Sequence, residues 1–199
     1  MKTYRKIEIG AVRKGKTQSI KISFLAHDTP SSMLKESLDE YLEVAKFCYE
    51  YKKIDDKWKP FNKGGCLGYP GGVILFSIID SIGSYFRNNK NFKMQIDAKE
   101  VSINSVGWEH FKILNSKYFN QNLSEDFIKV LYNKFRSILM HNSVLGKDAR
   151  MISNNEAIPK YQVRDEAFFI GKNMIDGNNI YMISLKELYE LCKTAVEEF

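Results

Sequence analysis

The sequence predicts a mainly α fold, a bundle of four to five helices with small β-hairpin additions near the N-terminus and before a C-terminal helix. Three observations carry this. Several stretches repeat apolar residues at spacings of three and four, the period of a helix face. One of them, residues 71–88, is apolar nearly all round, as a central helix must be. Strict alternation, the mark of strands, is confined to the N-terminal stretch and to a later turn signal. At 199 residues, 44% hydrophobic and 27% charged, the chain fits one globular domain with appendages. Within a single domain 1–199 the expected segments are a basic hairpin 1–28, a helical core 29–146, a second hairpin 147–183 and a final helix 184–199.

Residues 3–9 and 19–25 alternate, most clearly as Ile20, Ile22 and Phe24 against Lys21 and Ser23, and predict a hairpin around Arg13, Lys14, Gly15 and Lys16. Lysines and arginines crowd residues 1–25 against the single acid Glu8. Two readings follow. Arg13, Lys14 and Lys16 form an arm that holds an RNA backbone, or the lysines mark a solvated edge that resists aggregation. Thin aromatic interleaving favours the edge.

Asp28, Thr29 and Pro30 open the first long helix, with Thr29 as cap and Pro30 in the first turn. Its expected buried stripe is Leu34, Leu38, Tyr41, Leu42, Ala45 and Cys48. A glycine-rich stretch, 64–72, reads as a flexible connector; it lacks the Gly-Lys-Ser/Thr ending of a phosphate loop. In the second helix, 71–88, Ser77, Asp80, Ser81, Ser84 and Arg87 form the one polar strip. Asp80 there pairs with a basic group in a site, or with Ser84 or Arg87 along the helix, and the structural role is favoured. A third helix around 107–119 carries Trp108, Phe111, Leu114 and Tyr118, and its His110 stands alone.

Residues 124–146, SEDFIKVLYNKFRSILMHNSVLG, begin with a cap at Ser124 and acids Glu125 and Asp126 in the first turn. Ile128, Leu131, Phe135 and Ile138 draw the apolar face, and Gly146 supplies the stop. Arg136 and His141 lie on other faces. A guanidinium grips phosphate and an imidazole moves protons near neutral pH, so the pair is suited to phosphate chemistry. Five residues turn a straight α-helix by about 140° and raise it about 7.5 Å, so one helix does not put the pair on one face. Two copies facing each other across a two-fold axis do better. Ser137 lies one turn below His141, where its hydroxyl is placed to orient the ring, and Asn142 adds a further hydrogen-bonding group.

Arg136-x4-His141 near a helix end resembles the signature of the HEPN superfamily, the higher eukaryote and prokaryote nucleotide-binding domains. The preceding GGVILFSIIDSIGSYF, with Ile79, Asp80 and Gly83, resembles the buried helix of bacterial HEPN-like proteins. The resemblance spans roughly residues 31–145. It implies an HEPN-like bundle and a metal-independent endoribonuclease acting as a homodimer, with Arg136 and His141 catalytic, Ser137 and Asn142 assisting, and Asp80 behind them. Toxin-type members sit beside an antitoxin-type protein partner. Ser137 departs from the Asn, Asp or His usual after the arginine. The alternative is a non-catalytic dimeric module that binds nucleotide, RNA or a protein.

A net charge of +6 favours an acidic partner, RNA first. Cys48, Cys66 and Cys192 form no CxxC pair and read as small buried hydrophobes. No histidine has a ligand partner at metal-binding spacing, so neither metal nor cofactor is expected. The first apolar run is broken by Arg5, Lys6 and Glu8, and the 73–79 run is too short to span a bilayer; the expected setting is cytoplasmic, with no membrane. Asp176 and Gly177 mark the turn of the second hairpin, and Ser184 with Glu187 a capping box for the last helix.

Overall fold

A computed structural model describes residues 5–13, 16–24, 30–58, 65–153, 167–172 and 177–199. The fold is mainly α with small β additions. The chain divides into two compact units, residues 1–34 and 35–199.

The first unit holds the predicted hairpin. β1 (Arg5–Arg13) and β2 (Lys16–Phe24) pair antiparallel from Arg5 opposite Phe24 to Arg13 opposite Lys16. The ladder puts Ile7 opposite Ile22 and Ile9 opposite Ile20, so the isoleucine alternation sets the register. Lys14 and Gly15, at the turn, lie outside the described residues, as does the proposed cap Thr29. The Pro30 carbonyl accepts the first helical hydrogen bonds, from Met33 and Leu34, and α1 (Ser31–Glu50) begins one residue later.

In the second unit α1 buries Leu38, Leu42, Ala45 and Cys48. Tyr41, expected on that stripe, is 40% exposed, because the four buried positions already complete a narrow seam. The Leu67 amide donates to the Cys48 carbonyl, tying the end of α1 to the start of α2 (Gly68–Tyr85). Part of the expected glycine connector is therefore helix: Gly68, Gly71 and Gly72 belong to its first turns. The reason is packing. A Cβ on Gly71 would lie 3.1 Å from the Cβ of Cys48, and one on Gly72 would lie 2.4 Å from Cε of Met151. Beyond them Leu75, Phe76, Ile78, Ile79 and Ile82 are fully buried, which makes α2 the centre of the core as expected.

A short hairpin, β3 (Met94–Ile96) with β4 (Lys99–Val101), leads to a 3₁₀ helix, Gly107–Asn115, where an α-helix was expected. Five consecutive residues, His110 to Leu114, are buried there, so this segment runs through the interior instead of presenting one face.

The Arg136 helix starts as read: Ser124 Oγ accepts from the Phe127 amide, with Glu125 and Asp126 in the first turn. It is not one regular α-helix. α3 (Glu125–Val130) gives way to a π-helical stretch, Leu131–Ser137, and then to α4 (Ile138–Asn142). The buried positions are Ile128, Leu131, Phe135 and Leu139, at the three-and-four spacing of one helix face, and Ile138, expected there, lies at its edge and is only half-buried. The helix stops at Ser143, whose φ of 58° is left-handed, and not at Gly146.

Three strands follow in the order β5-β7-β6: β5 (Ala149–Ile152), β6 (Phe168–Lys172) and β7 (Asn179–Ser184). β6 and β7 form the expected antiparallel pair, with Phe168 opposite Ile183. The parallel partner β5 is an addition that alternation in so short a segment does not announce. Asp176 lies outside the described residues, whereas Gly177 has the positive φ of a turn glycine. Ser184 caps α5 (Leu185–Glu198) by accepting from the Glu187 amide. Only that half of the capping box forms, because the Ser184 amide already donates to Ala167. α5 packs on α2, with Cys192 Sγ 3.7 Å from the Leu75 carbonyl oxygen. Cys48, Cys66 and Cys192 are buried free thiols, and burial pushes the Cys192 thiol up. Among the described residues no helix is long and apolar enough to cross a membrane.

Candidate functional site

The site grows from a polar residue in the most apolar helix. Asp80 and Gly83 lie one turn apart on α2, so they share a face. Against that face runs the 3₁₀ segment at His110. A Cβ on Gly83 would come within 2.1 Å of the His110 carbonyl oxygen, so glycine is what lets the two backbones meet. This approach brings the His110 ring to the carboxylate: Nδ1 lies 2.6 Å from Asp80 Oδ1. From the π-helical stretch Arg136 donates to Asp80 Oδ2 at 2.5 Å. Three segments distant in sequence thus converge on one carboxylate.

The cluster is well enclosed, with side chains 9% (His110), 19% (Asp80) and 24% (Arg136) exposed. Burial pulls the Asp80 carboxyl up, but the His110 hydrogen bond and the charges of Arg136 and His110 outweigh it and hold the group below its ordinary range. The Arg136 guanidinium carbon also sits 5.3 Å from the ring centre of Tyr132, four residues earlier, so one side of the guanidinium faces an aromatic ring and one nitrogen is bound to a carboxylate. Its other donors are not used in any hydrogen bond among the described residues. His110 Nε2 is buried with no hydrogen-bond partner among the described residues.

His141 occupies a different setting. It is exposed in the last turn of α4 and makes no hydrogen bond or ion pair among the described residues. Ser137 is half-buried and forms no side-chain hydrogen bond among them, so the expected Ser137–His141 contact is not made. The backbone does not prevent it, since Ser137 is the N-cap of α4 with α-helical φ and ψ, one turn before His141; the two side chains simply form no hydrogen bond. Asn142 is exposed beside His141. The structure therefore brings Arg136 together with Asp80, and no hydrogen bond links Arg136 to His141 within one chain. Of the basic arm, Lys14 lies outside the described residues, and Arg13 and Lys16 are described in backbone only.

His110 is the residue that spacing arguments miss, since its partner is 30 positions away. A signal was present nonetheless. A histidine directly before Phe111, Lys112, Ile113 and Leu114 and an aspartate inside an apolar helix each need a buried partner, and each satisfies the other. Asp80 likewise takes neither Ser84 nor Arg87, because the cross-element partners are cationic or ring donors and reach it inside the core.

Comparison of the chain with protein-family models, with curated proteins and with solved structures returns no match.

Proposed function

We propose that the chain is an HEPN-like, metal-independent endoribonuclease that works as a homodimer. The observation that carries this reading is the division of labour between the two motif residues. Arg136 is held in place by Asp80 and Tyr132 with donors to spare, whereas His141 stands exposed and unengaged five residues on. In the proposed reaction His141 takes the proton from a ribose 2′-hydroxyl, the oxygen attacks the adjacent phosphorus as the bond from phosphorus to the 5′-oxygen breaks, and the leaving 5′-oxygen takes a proton from a His141 imidazolium. The products are a 2′,3′-cyclic phosphate and a 5′-hydroxyl. Arg136 stabilises the charge that builds on the phosphorane oxygens. Asp80 positions the guanidinium, and His110 positions Asp80. Asn142 adds a donor at the helix end.

A second copy completes the site, since a single helix separates the pair. Met140 and Val144, on either side of His141, are 47% and 51% exposed, which supports a partner surface there. In this reading an antitoxin-type protein would act by covering the same helix end.

The test is cleavage of mixed RNA in EDTA by wild type, His141→Ala and Arg136→Lys. His141→Ala is expected to lose about 10²–10⁴-fold, the worth of a positioned acid or base. Arg136→Lys is expected to fail as well, because an ammonium cannot make the forked contact. One observation favours a second reading, a non-catalytic dimeric module binding nucleotide, RNA or a protein: the His141 ring lacks an orienting partner, and Arg136 already carries a counter-charge. No cleavage by wild type, with dimerisation intact, would favour that reading.

A further inference from the structure

The chain between the His141 helix and β5 walls two cavities, about 390 Å³ and about 470 Å³. Leu145 and Gly146, four and five residues after His141, line the first, and Lys147 lines the second. Arg150 lines both. Charge is unevenly distributed. Among the described residues Lys53, Lys134, Lys147 and Arg150 face the two cavities against one acid, Asp148, and Lys134 already takes that acid in an ion pair. The Lys134 hydrogen bond holds the Asp148 carboxyl below its ordinary range. Among the described residues neither Lys147 nor Arg150 forms an ion pair with a carboxylate. Arg150 spends one nitrogen on the Ala149 carbonyl, at 2.7 Å, and keeps the rest of its fork.

Aromatic rings complete the arrangement. Tyr69, 45% exposed, lines the first cavity. Tyr181 lines the second, with Lys134 Nζ 5.3 Å from its ring centre and the tilted Phe127 ring 6.3 Å away. Cations that follow a phosphate backbone, beside rings on which bases stack, are the means by which proteins hold single strands.

We propose that these cavities form one cleft, joined at Arg150, in which a single strand of RNA lies after leaving the His141 helix end. Arg150 and Lys147 contact successive phosphates, and Tyr69 and Tyr181 offer stacking faces. The choice of RNA as ligand rests on the ribonuclease reading above; the cationic cleft does not.

The probe is a fluorescent 2′-O-methyl oligonucleotide, which has no free 2′-hydroxyl and cannot be cleaved by that route, so binding is read apart from catalysis. Anisotropy is followed across a salt series for wild type, Lys147→Glu/Arg150→Glu, the milder Lys147→Gln/Arg150→Gln, and Lys90→Glu/Lys117→Glu, whose residues line neither cavity. The expected result is a loss of at least about tenfold for the glutamate pair and a smaller loss for the glutamine pair. The log–log salt slope should fall by roughly 0.7 for each phosphate contact removed. The control pair should remain within about twofold of wild type. Equal loss in cleft and control pairs, or none in the cleft pair, overturns the proposal, as does absence of wild-type binding. Equal affinity for a duplex overturns the single-strand assignment, and tighter binding of a poly-glutamate peptide overturns RNA as the occupant. If wild type cleaves nothing yet the cleft pair loses oligonucleotide binding, the ribonuclease reading fails and the cleft stands.

Discussion

Asp80→Asn is the sharpest perturbation available, because it keeps the volume of the side chain and removes its charge. Both carboxylate oxygens are committed, Oδ1 to His110 and Oδ2 to Arg136. An asparagine oxygen can accept from one of them, but its amide then presents N–H to the other donor. Breaking one side of a buried ionic cluster costs about 3–5 kcal/mol. Side chains 9–24% exposed gain some relief from water, so about 2–4 kcal/mol is expected here. In a chain of this size each kcal/mol moves Tm by about 2–4 °C, which gives a fall of about 4–16 °C. Circular dichroism melts, checked against urea unfolding, measure it. The dependence on pH adds a second constraint. Burial raises the Asp80 carboxyl, but His110 and Arg136 outweigh it and leave it below the ordinary 3.8. A carboxyl depressed by folding contributes stability that is fully present above its unfolded value and lost as pH falls through its folded value. The gap between wild type and Asp80→Asn is therefore expected to stay level from pH 7 to about pH 5 and to close below about pH 4. A variant melting within about 1 °C of wild type at pH 7, or a gap that widens on acidification, would refute the cluster as an ionic unit.

Gly83→Ala is expected to cost about 3 kcal/mol or more by melting, since the new methyl meets the His110 backbone, whereas Gly71→Ala, whose neighbour is the Cys48 side chain at 3.1 Å, should cost about 1 kcal/mol. Ser184→Ala should lower stability by about 1 kcal/mol through loss of the α5 cap, read in the same melts. His141→Ala, at an exposed position without partners, should leave Tm within about 1 °C while abolishing cleavage, so a large fall in Tm would show a structural role instead. Light scattering should report a dimer at micromolar concentration, and Met140→Glu/Val144→Glu should shift it toward monomer; a wild-type monomer at high micromolar concentration sinks the shared site.

What was legible in the sequence was local. The isoleucine alternation of the hairpin, the Ser124 and Ser184 caps and the apolar surround of α2 all follow from neighbours a few residues apart, and each is found. What was not legible depends on segments meeting. The glycines at 71 and 72 look like a loop until Cys48 and Met151 are known to press on them. The π-helical stretch is not marked in the burial pattern either, since Ile128, Leu131, Phe135 and Leu139 step by three and four as a regular α-helical face does. The parallel β5–β7 pair joins strands separated by about thirty residues, and nothing in either strand names the other. His110 belongs to the same class, since its role exists only once α2 and the 3₁₀ segment are side by side.

That dependence changes how the arginine is understood. Alone on its helix, Arg136 would be a mobile surface cation, and a long side chain pays entropy to hold one pose. Here its position is set through a chain of contacts that starts in the core. Gly83 admits the His110 backbone, the His110 ring fixes Asp80, and Asp80 fixes the guanidinium, while Tyr132 covers one side of it. Arg136 and Tyr132 both lie in the π-helical stretch, about one turn apart, while Leu131 and Phe135 of the same stretch are buried in the core. The placement of the motif arginine is thus part of the packing of the bundle, whereas His141, one turn further on, is free of it. In the proposed reaction this asymmetry has a use. A charge stabiliser gains from being fixed before the phosphate arrives, because no reorganisation is then needed in the transition state. A proton carrier instead needs access to solvent and to a partner copy. Substitutions at Asp80 or His110 should therefore reduce cleavage through Arg136, and to about the extent that Arg136→Lys does, without either residue touching RNA.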